Sequence, residues 1–282
     1  VSERVQPADR AALLSLAALP GVTEAVDAAR EACTRLRWHQ ALRRRTDEAR
    51  AETVARAARA SAALDGAELP VDLVRDVLRG ATTAPDDAVG RAVAGAVRAT
   101  VEANALADLV GRAPRQALAR LHTAAAAGLV DPDELGRPRR GDELPRDLPG
   151  PGPAPAASDL PARIDGLAGL LTADGEVPAL VVAALAHAEV MAVRPFVVGS
   201  GVVARALFRC VVVGRGLDPT GVAAPEVAFA ASGLPAYVQA LQGYVSGTAD
   251  GVGGWLRFCA DAVGRGADEG ARVADAVLAG RL

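Results

Sequence analysis

Apolar residues recur at three- and four-residue spacing along most of the chain, and strand-like alternation is scarce. The pattern therefore predicts an all-α, mostly helical protein. Thr46, Asp47 and Glu48 offer a cap and first-turn acids for a helix running to about Leu64, which Asp65-Gly66 stops. Further helices are expected over Val71 to Leu78, Asp87 to Val110 and Arg115 to Ala127. The stretch from Ala11 to Val22 is apolar and follows Arg10, much like the core of a secretion signal. Pro20-Gly21 ends it early and charged, helix-patterned sequence follows, so a first helix is the better reading. The run Val177 to Val193 is interrupted by Pro178, His187 and Glu189. It falls short of the roughly 20 apolar residues that cross a bilayer, so it reads as a buried core helix and not a membrane span. Between Arg137 and Ala162 the pattern breaks, with Pro138, Pro145, Pro149, Pro151, Pro153, Pro155 and Pro161. Proline fixes φ and lacks a backbone donor, so this segment is a long loop, either ordered or mobile. Helical pattern resumes near Arg163, with breaks at Gly214 to Thr220 and Ser246 to Gly254.

Composition narrows the picture. Of 282 residues, 51% are hydrophobic but only 3% aromatic, so Ala, Val and Leu must build the core. All the basic residues are arginine, which reads as base composition and not as function. A formal charge of −3 gives no nucleic-acid footprint. Cys33, Cys210 and Cys259 are odd in number and far apart, with no C-x-x-C. They indicate neither a disulfide framework nor a zinc site, and fit a reducing cytoplasm.

One stretch carries candidate chemistry: RPFVVGSGVVAR, residues 194–205. A helix ends near Val193, a Pro-Phe turn leads into Gly199-Ser200-Gly201, and a second helix starts near Val202. Backbone N–H groups at such a turn, with a helix N-terminus, form an anion site. In its wider context, LAHAEVMAVRPFVVGSGVVARALFRC, the layout resembles the Fic (Fido) family, whose signature is H-P-F-x-[DE]-G-N-G-R-x-x-R between two helices. GLVDPDELGRPR, residues 128–139, is similar to the family's flap, with Gly136 and Arg139 as its elements. LPAYVQAL and GGWLRFCADAV are similar to its closing helices. ASAALDG, residues 60–66, resembles the family's inhibitory-helix motif, with Ser61, Asp65 and Gly66 in its places. The resemblance covers about Arg115 to Val263. It implies a Fic-like core over 114–282 with a Pro-rich loop at 137–162 and a short β-hairpin flap near Leu129 to Arg140. The N-terminal helical region, 1–113, would contain the inhibitory-like helix at 46–66, with Asp65 pairing with Arg205 and blocking productive ATP binding.

The departures matter as much. Family members commonly transfer AMP from ATP to a protein hydroxyl. Where the family has its general-base histidine stands Arg194, which stays protonated and cannot accept that proton. The acid that holds Mg²⁺ is replaced by Val198, which offers no oxygen. Ser200 replaces Asn, and Val202 replaces the first signature arginine. Pro195, Phe196, Gly199, Gly201 and Arg205 remain. Arg194, Gly199, Ser200, Gly201 and Arg205 are then the expected anion-binding set, with no catalytic residue and no metal ligand among them. No cofactor is expected, and ATP or Mg²⁺ binding should be weak or absent. His187 on its apolar helix and His122 ahead of the flap read as core residues, and His39 has no partner pattern. Arg209 shares a helix face with Arg205 and either adds positive charge or is simply solvated. Three readings follow. The first is a non-catalytic regulatory or binding module with a residual phosphate pocket. The second is a divergent nucleotidyl- or phosphate-group transferase. The third is a subunit whose face is covered by a protein partner or a second copy of itself.

Overall fold

A computed structural model describes residues 9–147 and 150–281. Pro149, expected within the Pro-rich loop, lies outside them, as do residues 1–8 of the N-terminal region. Twelve α-helices account for most of the described chain. They are α1 (Arg10–Ala17), α2 (Val22–Arg37), α3 (Thr46–Leu64), α4 (Val71–Leu78), α5 (Ala88–Ala105) and α6 (Pro114–Ala126), followed by α7 (Leu160–Leu171), α8 (Ala179–Val193), α9 (Ser200–Gly214), α10 (Pro225–Ala231), α11 (Leu234–Val245) and α12 (Ala249–Leu278). The helical expectation holds. α3 and α4 match their expected spans, and Asp87 caps α5 by accepting from the Gly90 amide at 2.7 Å. α5 stops at Ala105 and not at Val110, because the chain from Leu106 to Ala113 closes as successive tight turns. α6 begins one residue early, on Pro114, whose missing N–H costs nothing at the first helical position.

The apolar stretch from Ala11 to Val22 is cut as its Pro-Gly pair predicts. Gly21 takes φ 72°, and α1 and α2 lie 84° apart. Among the described residues no single helix is long and apolar enough to cross a membrane.

α8 and α9 are the central pair. α8 is buried on nearly every side, from Leu180 through Val190, and α9 is buried from Ser200 through Val212. α5 and α6 pack on α9. The 30-residue α12 runs along α2, α3, α8, α10 and α11. Small side chains dominate this core, and four of the few aromatics gather around His187: Phe208, Phe229, Tyr237 and Trp255. Trp255 donates its indole N–H to the Ala184 carbonyl at 2.8 Å, so its polar end is satisfied inside the core.

The short β-hairpin flap is not found. Among the described residues the region from Leu129 to Arg140 contains only an isolated bridge between Ala127 and Val130 and a 3-10 turn at Pro132–Glu134. The local chemistry explains the difference. Asp131 and Glu134 form a reciprocal capping box around that turn. Pro132 and Pro138 supply no ladder donors, and Gly136 turns the chain at φ 74°.

Candidate functional site

α8 ends where the candidate loop begins. Its C-cap is Arg194, at φ 43° and ψ 67°, the one non-glycine residue with positive φ among those described. A side chain there costs on the order of 1 kcal/mol in backbone strain. Fixed contacts hold it: the Arg194 N–H donates to the Val190 carbonyl, and the Arg194 carbonyl accepts from Arg139 Nε, both at 2.8 Å. Arg139 is buried and also donates to the carbonyls of Val193, Glu143 and Pro155. This flap residue is therefore a strut between the Pro-rich segment and the end of α8. Burial pulls its guanidinium below its usual range, and the neighbouring charge of Arg194 adds to this.

The other flap residue, Gly136, donates its N–H to His122 Nδ1 at 2.9 Å. His122 Nε2 then faces the Val198 carbonyl at 3.1 Å, so Nε2 carries the proton. The His122 ring stacks on Phe196, centroids 3.8 Å apart and nearly parallel. One neutral imidazole thus ties flap to loop. Burial holds its pKa down to about 4, against a partial counter-effect from the Val198 carbonyl.

The glycine turn starts α9. Gly199 is its N-cap at φ 87°, a conformation glycine adopts without a Cβ penalty. Its N–H and that of Ser200 point to one side, as an anion cradle requires. A carboxylate of this same chain fills that cradle. Asp147 Oδ1 accepts from Gly199 N at 2.6 Å, and Oδ2 accepts from Ser200 N at 3.0 Å. Burial raises the Asp147 pKa, the two amides work against that, and the charge of Asp65 adds to it. Asp147 was not foreseen. It sits in a segment whose only sequence signal was proline, 52 residues from the turn it caps.

On the next turn of α9, Arg205 is buried and donates from Nε to Ser61 Oγ at 2.8 Å. Its Nη2 donates to the Ser61 carbonyl at 2.9 Å and to Asp65 Oδ2 at 2.7 Å. The Asp65–Arg205 contact is direct despite the shorter acid. Asp65 also lies over Gly201, where a Cβ would come within 2.6 Å of Oδ1. Gly201 is thus needed for close approach. Gly66 takes φ 83° just past the end of α3. Burial opposes the charge on Arg205, but Asp65, with Tyr237 beside it, more than offsets this and the pKa ends above its ordinary value.

The structure therefore brings Ser61, Asp65, Gly201 and Arg205 together, and places Gly199 and Ser200 beside them under Asp147. Arg194 makes no hydrogen bond to the cradle, although Asp147 is near enough to favour its charge. That guanidinium lies against Gly150 and donates to the Gly152 carbonyl. Val198 contributes its carbonyl to His122 and no side-chain oxygen. His187 is fully buried among the aromatics, with Nε2 2.5 Å from the Tyr237 hydroxyl. Arg209 is not solvated. It makes a buried two-pronged pair with Glu226, both bonds 2.7 Å. Glu189 is held on the other side by Tyr244 and Arg163.

No protein-family profile and no curated protein matches the chain in sequence. Solved structures do match it in three dimensions. A Fic family protein from Desulfovibrio desulfuricans G20 aligns over 93% of this chain and 76% of its own, at 23% identity and a TM-score of 0.68. A segment of Fic-1 from C. elegans aligns over 92% of this chain and 73% of its own, at 18% identity and the same TM-score of 0.68. The arrangement of the helices is that of a Fic-type fold.

Proposed function

We propose that this protein is a non-catalytic Fic-fold regulatory or binding module. The observation that carries the reading is the pair of residues at the loop's two chemical positions. Arg194 stands where a base must accept a proton, and a guanidinium does not deprotonate at ordinary pH. It also donates to Gly152 and not to the cradle. Val198 stands where an acid must hold a metal. The nearest carboxylates are already engaged, Asp147 with two amides and Asp65 with Arg205. This donor set does not fit a magnesium nucleotide, since Mg²⁺ demands several free oxygens in near-octahedral array. Weak or absent binding of Mg-ATP is part of the proposal.

In this reading α3 is an inhibitory-type helix whose Asp65 has kept its place over Arg205. The anion cradle is residual, and a phosphate-bearing ligand would have to displace Asp147 to use it. A cleft of about 820 Å³ between the flap turn and Val197, lined in part by Asp131, Arg137 and Arg146, favours a binding role on this face. The three buried free cysteines fit a reducing compartment.

The test is covalent label transfer. The full chain and its Asp65→Gly variant are incubated with labelled ATP, Mg²⁺ and a cell lysate. Neither should label any protein above the lysate alone, because relieving Asp65 restores neither base nor metal ligand. Transfer by either chain overturns the reading in favour of a divergent transferase.

A further inference from the structure

Where α2 gives way to the 3-10 turn Gln40–Arg43, residues 35–45 read RLRWHQALRRR. Trp38 stands 69% exposed, whereas the chain's other tryptophan, Trp255, is fully buried. Arg35, Arg37, Arg43 and Arg44 are exposed as well. Among the described residues none of these four guanidinium groups meets a carboxylate. Arg37 lies 5.9 Å from the centre of the Trp38 ring. Arg45, by contrast, pairs with Glu48 and donates to the Val277 carbonyl. That bond brings the last turn of α12, with its exposed Leu278, to the same corner. The acids nearby include Glu31 one turn earlier on α2, Asp47 on Arg50, Glu48 on Arg45, and Asp275 on His39.

Arginine in the last turn of a helix suits the dipole, which accounts for Arg35 and Arg37. It does not account for Arg43 and Arg44 beyond the helix, or for a large amphipathic ring left in water. In a chain of net charge −3, this is a local concentration of unpaired cation. Single-stranded nucleic acid is usually held by a charged groove with several stacking rings, and here Trp38 is the one large exposed ring among the described residues. A lipid headgroup layer has no such requirement. It takes a projecting indole at the interface and diffuse cations over its phosphates.

We infer that this corner docks peripherally on an anionic bilayer surface, Trp38 and Leu278 entering the interface and the four arginines facing headgroup phosphates. No spanning segment is needed, and the inference stands apart from the reading of the loop between α8 and α9.

Intrinsic fluorescence tests it directly, because Trp255 is shielded and Trp38 reports. The full chain is titrated with phosphatidylcholine vesicles with and without about 30% phosphatidylglycerol, and pelleted with each, at low ionic strength. The expected result is a blue shift and co-sedimentation with the anionic vesicles only. Both should be lost near 1 M salt, where screening shortens to about 3 Å. The double variant Arg43→Ser/Arg44→Ser should lose about 30-fold in partitioning, about five-fold per cation. Trp38→Ala should lose the emission shift and sediment less. Both variants replace exposed side chains, and unchanged circular dichroism confirms that they fold. No binding to anionic vesicles at low salt, equal binding to neutral ones, or wild-type binding by the variants overturns the inference. So does a Trp38 response to a single-stranded oligonucleotide or to polyglutamate where vesicles give none.

Discussion

Arg205 and Arg209 sit one turn apart on α9, both buried, and their surroundings differ. Arg209 has a closed shell. Glu226, equally buried, takes two of its N–H groups, and the carbonyls of Gly221 and Ala223 take others. Arg205 has an open one. It meets one oxygen of a half-exposed Asp65 and two atoms of Ser61, and its Nη1 has no partner among the described residues. A two-pronged buried pair clamps α9 to α10 and has little reason to open. A one-pronged pair reached from α3 can be exchanged for another anion at lower cost. The difference separates an arginine that holds the fold from one that faces a site, although both are the same residue on one helical face.

The largest test breaks the closed pair. Arg209→Ala leaves Glu226 charged and unpaired in the core, and should cost about 3–5 kcal/mol in chemical denaturation. Asp65→Ala leaves Arg205 its Ser61 bonds and should cost less, about 1–3 kcal/mol. Equal losses would erase the distinction.

Acid should sharpen it, because one buried histidine, His122, ties the loop in place and another, His187, lies in the core near Arg205. Burial holds His187 well below its usual pKa, helped by Arg205, and His122 at about 4. Unfolding lets each rise toward about 6.5, so the unfolded chain binds more protons between those values. The contribution of His122 is complete above about pH 6.5 and is lost as pH falls toward 4, on the order of 3 kcal/mol, and that of His187 changes in the same direction. Asp147, held above its usual range, works in the opposite direction, so the histidine share is read by difference. Denaturation midpoints from pH 7 to 4.5 should fall more steeply for the wild type than for His122→Gln. Parallel curves would remove His122 from the account.

The smallest effect concerns the cradle. An asparagine keeps one acceptor oxygen where Asp147 has two, so Asp147→Asn should loosen the hold on the Gly199–Ser200 pair. Inorganic phosphate at about ten times its dissociation constant should then raise the variant's melting temperature by about 2–4 °C, with a smaller rise in the wild type. A shift no larger in the variant would mean that Asp147 does not compete for the anion position.

Much of this arrangement was legible along the chain. Helical periodicity marked α3, α4, α8 and α9, because a buried stripe must recur at the period of the helix whatever it packs against. Pro20-Gly21 and Asp65-Gly66 marked their breaks through backbone preference alone. The motif around Gly199 and the Ser61–Asp65 spacing pointed to each other through a family resemblance, and the helices carried them together. The hairpin was misread because the resemblance suggested a shape, while Asp131, Pro132 and Gly136 favour a capped turn locally.

What the sequence determined by itself was most of the helices, the breaks at Pro20-Gly21 and Asp65-Gly66, and the residue types at the turn between α8 and α9. Those follow from interactions within a few residues, which the order of side chains specifies. Only the tertiary structure decided that Asp147 would fill the cradle, that Arg194 would turn to Gly152, that His122 would tie flap to loop, and that Arg209 would be sealed by Glu226. Each is a contact made by side chains and carbonyls whose position depends on the path of a loop or the packing of a second helix. No periodicity or spacing encodes that path. It is set when the apolar faces close on one another and every buried charge and amide must find a partner.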